Sequence, residues 1–118
     1  MDSTTSPRRL AAVETAIAAL DTPFFKALQE PVRLAVLCRL LLLGRADISQ
    51  IAEGLPQERS VVSRHLQVLR DAGIVVLTRE GRHSVYEVDG PAVLQRFETI
   101  MKQLAAIAPY CCPGNAKK

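Results

Sequence analysis

Along the first part of the chain, apolar residues recur with helical spacing. Leu10, Val13, Ile17, Leu20 and Phe24 follow one another at intervals of three and four. That spacing puts them on one side of a helix, or of two consecutive helices broken at Pro23. Pro31 sits at a natural helix start, because the first helical position needs no N–H. Behind it, Leu34, Leu37 and Leu41 with Val36, Leu40 and Leu43 make an apolar face wide enough for a central, buried helix. Gly44 can end that helix. Asp47, with Gln50 three residues later, has the spacing of a capping box for a short helix containing Ile48, Ile51 and Ala52. Gly54 and Pro56 then punctuate a turn.

After the turn, Val62, Leu66 and Leu69 return at intervals of four and three. Arg59, Ser60, Ser63, Arg64, His65 and Gln67 are left off that stripe, and Gly73 is placed to close the helix. Two β-rich runs follow at 74–78 and 84–88, joined by a polar connection with Gly81, which predicts a two-stranded hairpin. A last helix starts near Pro91. Val93, Phe97, Ile100, Leu104 and Ile107 keep a seam-like period until Pro109 ends it. The fold class is α+β, mainly α. Residues 1–9, rich in Ser, Thr, Pro and Arg, read as a loose arm, 10–108 as a single domain and 109–118 as a cysteine-bearing tail.

Composition narrows the function classes. A chain of 118 residues, 48% hydrophobic, is the size of one compact domain. A net charge of +3 permits a nucleic-acid partner without demanding one, so the placement of charge decides. The longest apolar run, 34–43, is interrupted by Cys38 and Arg39 and falls short of the roughly 20 residues that span a bilayer. The N-terminus has no apolar core and no small-residue cleavage pattern, so a cytoplasmic location is expected. Three cysteines in such a chain point to free thiols, metal ligation or redox sensing rather than a disulfide scaffold. No nucleophile–base pair, phosphate-cradling glycine loop or Cys-x-x-Cys motif stands out, so enzymatic chemistry is not expected.

Charge placement favours DNA. Segment 47–70 reads as two helices joined by a turn, the layout in which the second helix enters a major groove. Arg59 and Arg64 suit guanine edges or phosphates, and Ser60, Ser63, His65 and Gln67 supply adaptable hydrogen-bonding groups. Arg79, Arg82 and His83 add charge near the hairpin tip, where a strand pair can lie over the backbone or the minor groove.

Together, FKALQEPVRLAVLCRLL and SVVSRHLQVLRDAGIVVLTREGRHSVYEV closely resemble the ArsR/SmtB family of bacterial repressors over residues 25–88. The matching marks are Pro31-x-Arg33-Leu34, Val62-Ser63-Arg64-His65-Leu66, Leu69-Arg70-x-Ala72-Gly73 and Arg79-Glu80-Gly81-Arg82. The resemblance implies a winged helix-turn-helix homodimer that binds a double-stranded, imperfectly palindromic operator and releases it on an inorganic or redox signal. It also implies that the flanking helices are dimerisation helices, in agreement with the apolar stripes at 10–20 and 93–107.

Two sensor designs known in that family are absent. Where many relatives carry Cys-Val-Cys, this chain reads Asp47-Ile48-Ser49-Gln50, and segment 89–107 has no histidine for a zinc site of the usual kind. The adjacent pair Cys111 and Cys112 remains. Soft thiolates favour soft ions, and trivalent arsenic or antimony takes three sulfurs in a pyramid. The expected inducer is therefore As(III) or Sb(III), as arsenite, antimonite or an organoarsenical, held by Cys111 and Cys112 with Cys38 as the third sulfur. Cys38 in its apolar helix also fits an inert core residue. The alternative is a redox- or persulfide-sensing repressor that pairs Cys38 with Cys111 or Cys112.

Overall fold

The computed structural model describes residues 6–111. The elements in chain order are α1 (Pro7–Leu20), α2 (Pro23–Ala27), α3 (Pro31–Leu43), β1 (Arg45–Ala46), α4 (Ile48–Glu53), α5 (Arg59–Asp71), β2 (Val75–Glu80), β3 (His83–Val88), α6 (Gly90–Ala105) and α7 (Ala108–Cys111). They group into two compact units, Pro23–Val93 and the pair of terminal segments 6–22 and 94–111.

In the central unit the core is built from Phe24, Val36, Leu40, Ile51, Val62, Leu66, Leu69 and Ile74, each at most 1% exposed. Helix α5 supplies three of them from its four-and-three spacing, so burial of one stripe fixes its opposite face outward. Its C-terminus closes as a Schellman motif. The Ile74 N–H donates to the Leu69 carbonyl at 2.9 Å and the Gly73 N–H to that of Arg70 at 3.0 Å. Gly73 takes φ 79° to allow this, and Leu69 and Ile74 are buried together at the chain reversal. Helix α4 starts from the expected capping box. The Gln50 N–H donates to Asp47 Oδ1 at 2.8 Å, and the Asp47 N–H donates to Gln50 Oε1 at 2.9 Å.

Helix α3 departs from its sequence expectation. Only Val36 and Leu40 are buried, while Leu34, Leu41, Leu42 and Leu43 are exposed in the chain. Cys38 is exposed as well, which corrects its reading as an inert core thiol. A run apolar on nearly every side cannot show by period which side is covered.

The hairpin is present and longer than the apolar runs indicate. Strands β2 and β3 pair antiparallel from Val75↔Val88 to Glu80↔His83, leaving only Gly81 and Arg82 as the connection. Positive φ at Gly81 (64°) and at no non-glycine residue is the pattern of a type II′ turn, whose twist matches the strands. A third strand joins it: β1 pairs with β3 through Arg45↔Glu87 and Ala46↔Tyr86, giving the order β1-β3-β2.

In the terminal unit, α1 begins at Pro7, inside the segment 1–9 whose composition predicts a loose arm. Ser6 Oγ accepts from the Arg9 N–H at 3.1 Å and Pro7 occupies the first turn, two local start signals that composition alone does not weigh. Helix α1 buries its small residues Ala16 and Ala19 and exposes Leu10, Val13 and Ile17. Helix α6 buries Ile100 and exposes Leu94, Phe97 and Met101, so of the expected seam Val93, Phe97, Ile100, Leu104 and Ile107 only Phe97 lies in the outward stripe. Pro109 does not end a helix. It lies in the first turn of α7, where proline is tolerated, so Cys111 closes a helical turn instead of sitting on an irregular tail. No described helix is long and apolar enough to cross a membrane.

Candidate nucleic-acid interface

Helices α4 and α5 with the turn between them form the helix-turn-helix, and two polar ties supplement their buried contacts. Arg59, the first residue of α5, hydrogen-bonds Ser49 Oγ on α4. Arg39 on α3 donates from Nη2 to the Gln50 carbonyl at 3.1 Å, which fixes α4 from its other side. At the start of α5 the Glu58 side chain makes no capping bond and the first turn contains no acid. Its amide N–H groups and the helix dipole therefore favour an anion there.

Ser60, Ser63, Arg64 and Gln67 recur at three and four residues on the side of α5 away from Val62, Leu66 and Leu69. Ser60, Arg64 and Gln67 are exposed, while Ser63 is half-buried. Gln67 is partly engaged, donating to Asp71 Oδ1 at 2.8 Å and accepting from Arg70 Nη1 at 3.4 Å. Arg59 is exposed beside this face.

His65 is not on it. One position along from Arg64 turns the side chain by about 100°, and His65 is half-buried with Nε2 3.4 Å from Glu30 Oε2. Its Nδ1 is buried without a partner. Glu30 meanwhile caps α3, accepting from the Val32 N–H at 2.9 Å and the Arg33 N–H at 3.1 Å. These bonds, the Val32 one foremost, hold the Glu30 carboxyl below its ordinary value, with the charges of His65 and Arg33 acting the same way. His65 thus braces the second helix against the start of α3, where its sequence position suggests a DNA contact.

The three wing cations also separate. In the β2–β3 register, Arg79 and Ser84 are partners on the face that buries Val75 and Tyr86 further along, and Arg79 Nη1 donates to Ser84 Oγ at 3.1 Å. His83 lies opposite Glu80 on the other face, and Arg82 occupies the turn. All three are exposed. Arg45 and Ser49 carry no sequence signal for a role here, and Glu30 little, because each acts through a partner distant in the chain. Glu30 alone leaves a trace, as an acid just before Pro31 at a helix start.

Cys111 is exposed at the end of α7, and Cys112 lies outside the described residues. Next to Cys111, Arg9 on α1 donates from Nη2 to the Tyr110 carbonyl at 2.7 Å, and its guanidinium stands 5.5 Å from the Tyr110 ring centre. Hydrogen bond and cation–π contact together clamp α7 to the start of α1. Among the described residues, no group of three or more His, Cys, Asp or Glu is gathered to hold a metal ion.

A model of the bacterial regulatory protein arsR family matches residues 30–76, from the α3 cap into β2. The HTH-type transcriptional regulator NmtR of Mycobacterium tuberculosis is 36% identical over 88 residues, covering 75% of this chain and 72% of that protein. A probable mercury resistance operon repressor of Streptomyces lividans is 36% identical over 102 residues, 80% of this chain and 79% of that one. Among solved structures, the AntR antimony-specific transcriptional repressor aligns with a TM-score of 0.54 at 27% identity, over 89% of this chain and 86% of that chain.

Proposed function

The chain belongs to the arsR family of bacterial regulatory proteins, and from that premise we propose that it is a homodimeric repressor released from operator DNA when its C-terminal cysteine thiolates bind As(III) or Sb(III). The winged helix-turn-helix carries the DNA half of this reading. Its α5 face of Ser60, Ser63, Arg64 and Gln67, with Arg59 beside it, contacts base edges and phosphates, and Arg79, Arg82 and His83 contact the flanking backbone. Dimerisation covers the stripes Leu10–Val13–Ile17 and Leu94–Phe97–Met101, too apolar to leave in water.

The single observation that supports the sensing half is the exposure of Cys111 at the end of a turn clamped to α1 by Arg9 and Tyr110. A soft ion captured by Cys111 and its sequence neighbour Cys112 pulls on that turn, and the clamp passes the displacement into α1 and the dimer seam. A typical coupling of about 1–3 kcal/mol lowers operator affinity roughly 5- to 150-fold, enough to relieve repression. Two similar proteins are named for mercury resistance and for antimony, soft elements of the kind thiolates prefer.

A second reading is favoured by the exposure of Cys38, which leaves that thiol open to oxidants. In it, Cys38 pairs with Cys111 or Cys112 on oxidation or persulfide transfer. One experiment separates the two: release of labelled operator duplex by arsenite, antimonite, zinc, cadmium and a persulfide donor, on wild type and on each cysteine-to-serine variant. Metalloid sensing requires arsenite or antimonite release to be lost in Cys111→Ser and Cys112→Ser. Its loss in Cys38→Ser as well makes Cys38 the third sulfur. Persulfide release that depends on Cys38, without a metalloid response, establishes the redox reading instead.

A further inference from the structure

On its own the β2–β3 hairpin is close to neutral, because Arg79 and Arg82 are offset by Glu80 and Glu87. A wing of that composition attracts phosphate weakly and presents two carboxylates to it. Arg45 changes this. It lies on the edge strand β1, with Glu87 as its cross-strand partner, and its Nε is 3.5 Å from Glu87 Oε1. Its Nη2 reaches further, to Glu80 Oε2 near the tip of β2. Because β3 lies between β1 and β2, the guanidinium straps the outer face of the sheet from one edge strand to the other.

We propose that Arg45 is a positioning residue for DNA binding: it neutralises Glu80 and Glu87 and braces the hairpin, so that Arg79 and Arg82 meet phosphate as unopposed cations. The planar fork suits this task, since one guanidinium serves two carboxylates where an ammonium offers a single point charge. The hydrogen bond that Arg45 donates to Glu80 also pushes its guanidinium above its ordinary pKa, followed by the charges of Glu80 and Glu87. About half of each of these side chains remains in water, so the strap adds little to global stability; its effect is on where charge sits.

The inference rests on the DNA-binding reading, and a double-mutant cycle tests it. Binding to a fluorescein-labelled duplex from upstream of the chain's own gene is titrated by anisotropy for wild type, Arg45→Gln, Glu80→Gln/Glu87→Gln and the triple variant. Arg45→Gln is expected to weaken binding about two- to fivefold per wing, and to cost markedly less when both glutamates are already neutral. Arg45→Lys keeps the charge without the fork and is expected to fall between. An equal or larger loss in the neutral background overturns the proposal, as does a fall of about one phosphate contact in the salt slope, which marks direct contact by Arg45. If wild type shows no salt-dependent duplex binding, the DNA-binding reading fails and the strap with it. Wild-type binding with an additive cycle removes only the strap. Faster amide exchange at Gly81 and Arg82 in free Arg45→Gln is the expected structural signature, independent of any DNA titration; unchanged exchange there overturns the bracing half.

Discussion

The proposed dimer seam can be tested at Leu94, the first of the three apolar residues that α6 turns outward. Leu94 is 67% exposed in the chain, so a partner can bury at most about two thirds of it. Full burial of a leucine side chain contributes about 1.5–3 kcal/mol, so two thirds contributes about 1–2 kcal/mol. A two-fold axis applies the loss twice, so Leu94→Ser weakens the dimer by about 2–4 kcal/mol, a roughly 30- to 900-fold rise in dissociation constant. The fold of each protomer is spared, since the substituted side chain already lies at its surface. Sedimentation equilibrium over a concentration series reads the dissociation constant, and far-ultraviolet circular dichroism at the highest concentration checks that the helices persist. Operator binding should weaken in step, because two reading helices must act together on half-sites about one helical turn apart. A dissociation constant within twofold of wild type would refute the assignment of α6 to the seam.

Three further outcomes follow from the central unit. Asp47→Ala removes the acceptor for the Gln50 N–H and should cost about 1 kcal/mol in urea denaturation, with faster exchange of amides in α4, a helix of 6 residues too short to hold itself. At Gly54, an added Cβ would run into the Arg39 guanidinium, so Gly54→Ala is expected to shift that side chain off its bond to the Gln50 carbonyl. The expected cost is about 0.5–1.5 kcal/mol, and Arg39→Ala should make Gly54→Ala nearly silent. The Glu30 carboxyl is held below its ordinary value of 4.5, chiefly by the Val32 N–H, so its contribution is complete above pH 4.5 and is lost as pH falls through the lowered folded-state value. Wild type should therefore lose stability more steeply than Glu30→Gln as urea midpoints are followed below pH 4.5, and parallel curves would contradict the cap.

What the sequence made legible was local. The capping box of Asp47 and Gln50, the four-and-three stripe Val62–Leu66–Leu69 and the C′ glycine Gly73 each act over a few residues, so spacing alone locates α4 and α5. The hairpin was legible for the same reason, but its register was not. Whether Arg79 and His83 share a face depends on a turn of two residues rather than five, and one more residue would reverse the assignment. Strand β1 has two residues and no period, and it exists because β3 offers an open edge to it. In α3 an almost continuous apolar run concealed which side faces out, so the exposure of Cys38 could not be read. The approach of His65 to Glu30 could not be read, because a helix flank looks polar in sequence whether it meets water or a carboxylate distant in the chain.

The interface is held at two strengths, and the difference matters for how a repressor is switched. Each of the fully buried leucines that α5 contributes, Leu66 and Leu69, is worth about 2–5 kcal/mol when cut to alanine, so the stripe Val62–Leu66–Leu69 anchors the helix firmly. Helix α4 is anchored by buried Ile51, and polar ties at the periphery, Arg59 to Ser49 and Arg39 to Gln50, add to its setting against α5 and α3. A typical hydrogen bond of this kind contributes about 0.5–1.5 kcal/mol, the same scale as the 1–3 kcal/mol of ordinary allosteric coupling. A signal of that size cannot unseat the core but can rearrange such ties. Release of DNA should then alter the orientation of the reading helix while leaving it folded: inducer should change amide exchange at the ends of α4 and α5 and leave it slow at Leu66 and Leu69. Loss of protection at those two core positions on adding inducer would mean that the protein lets go of DNA by unfolding the reader rather than by turning it.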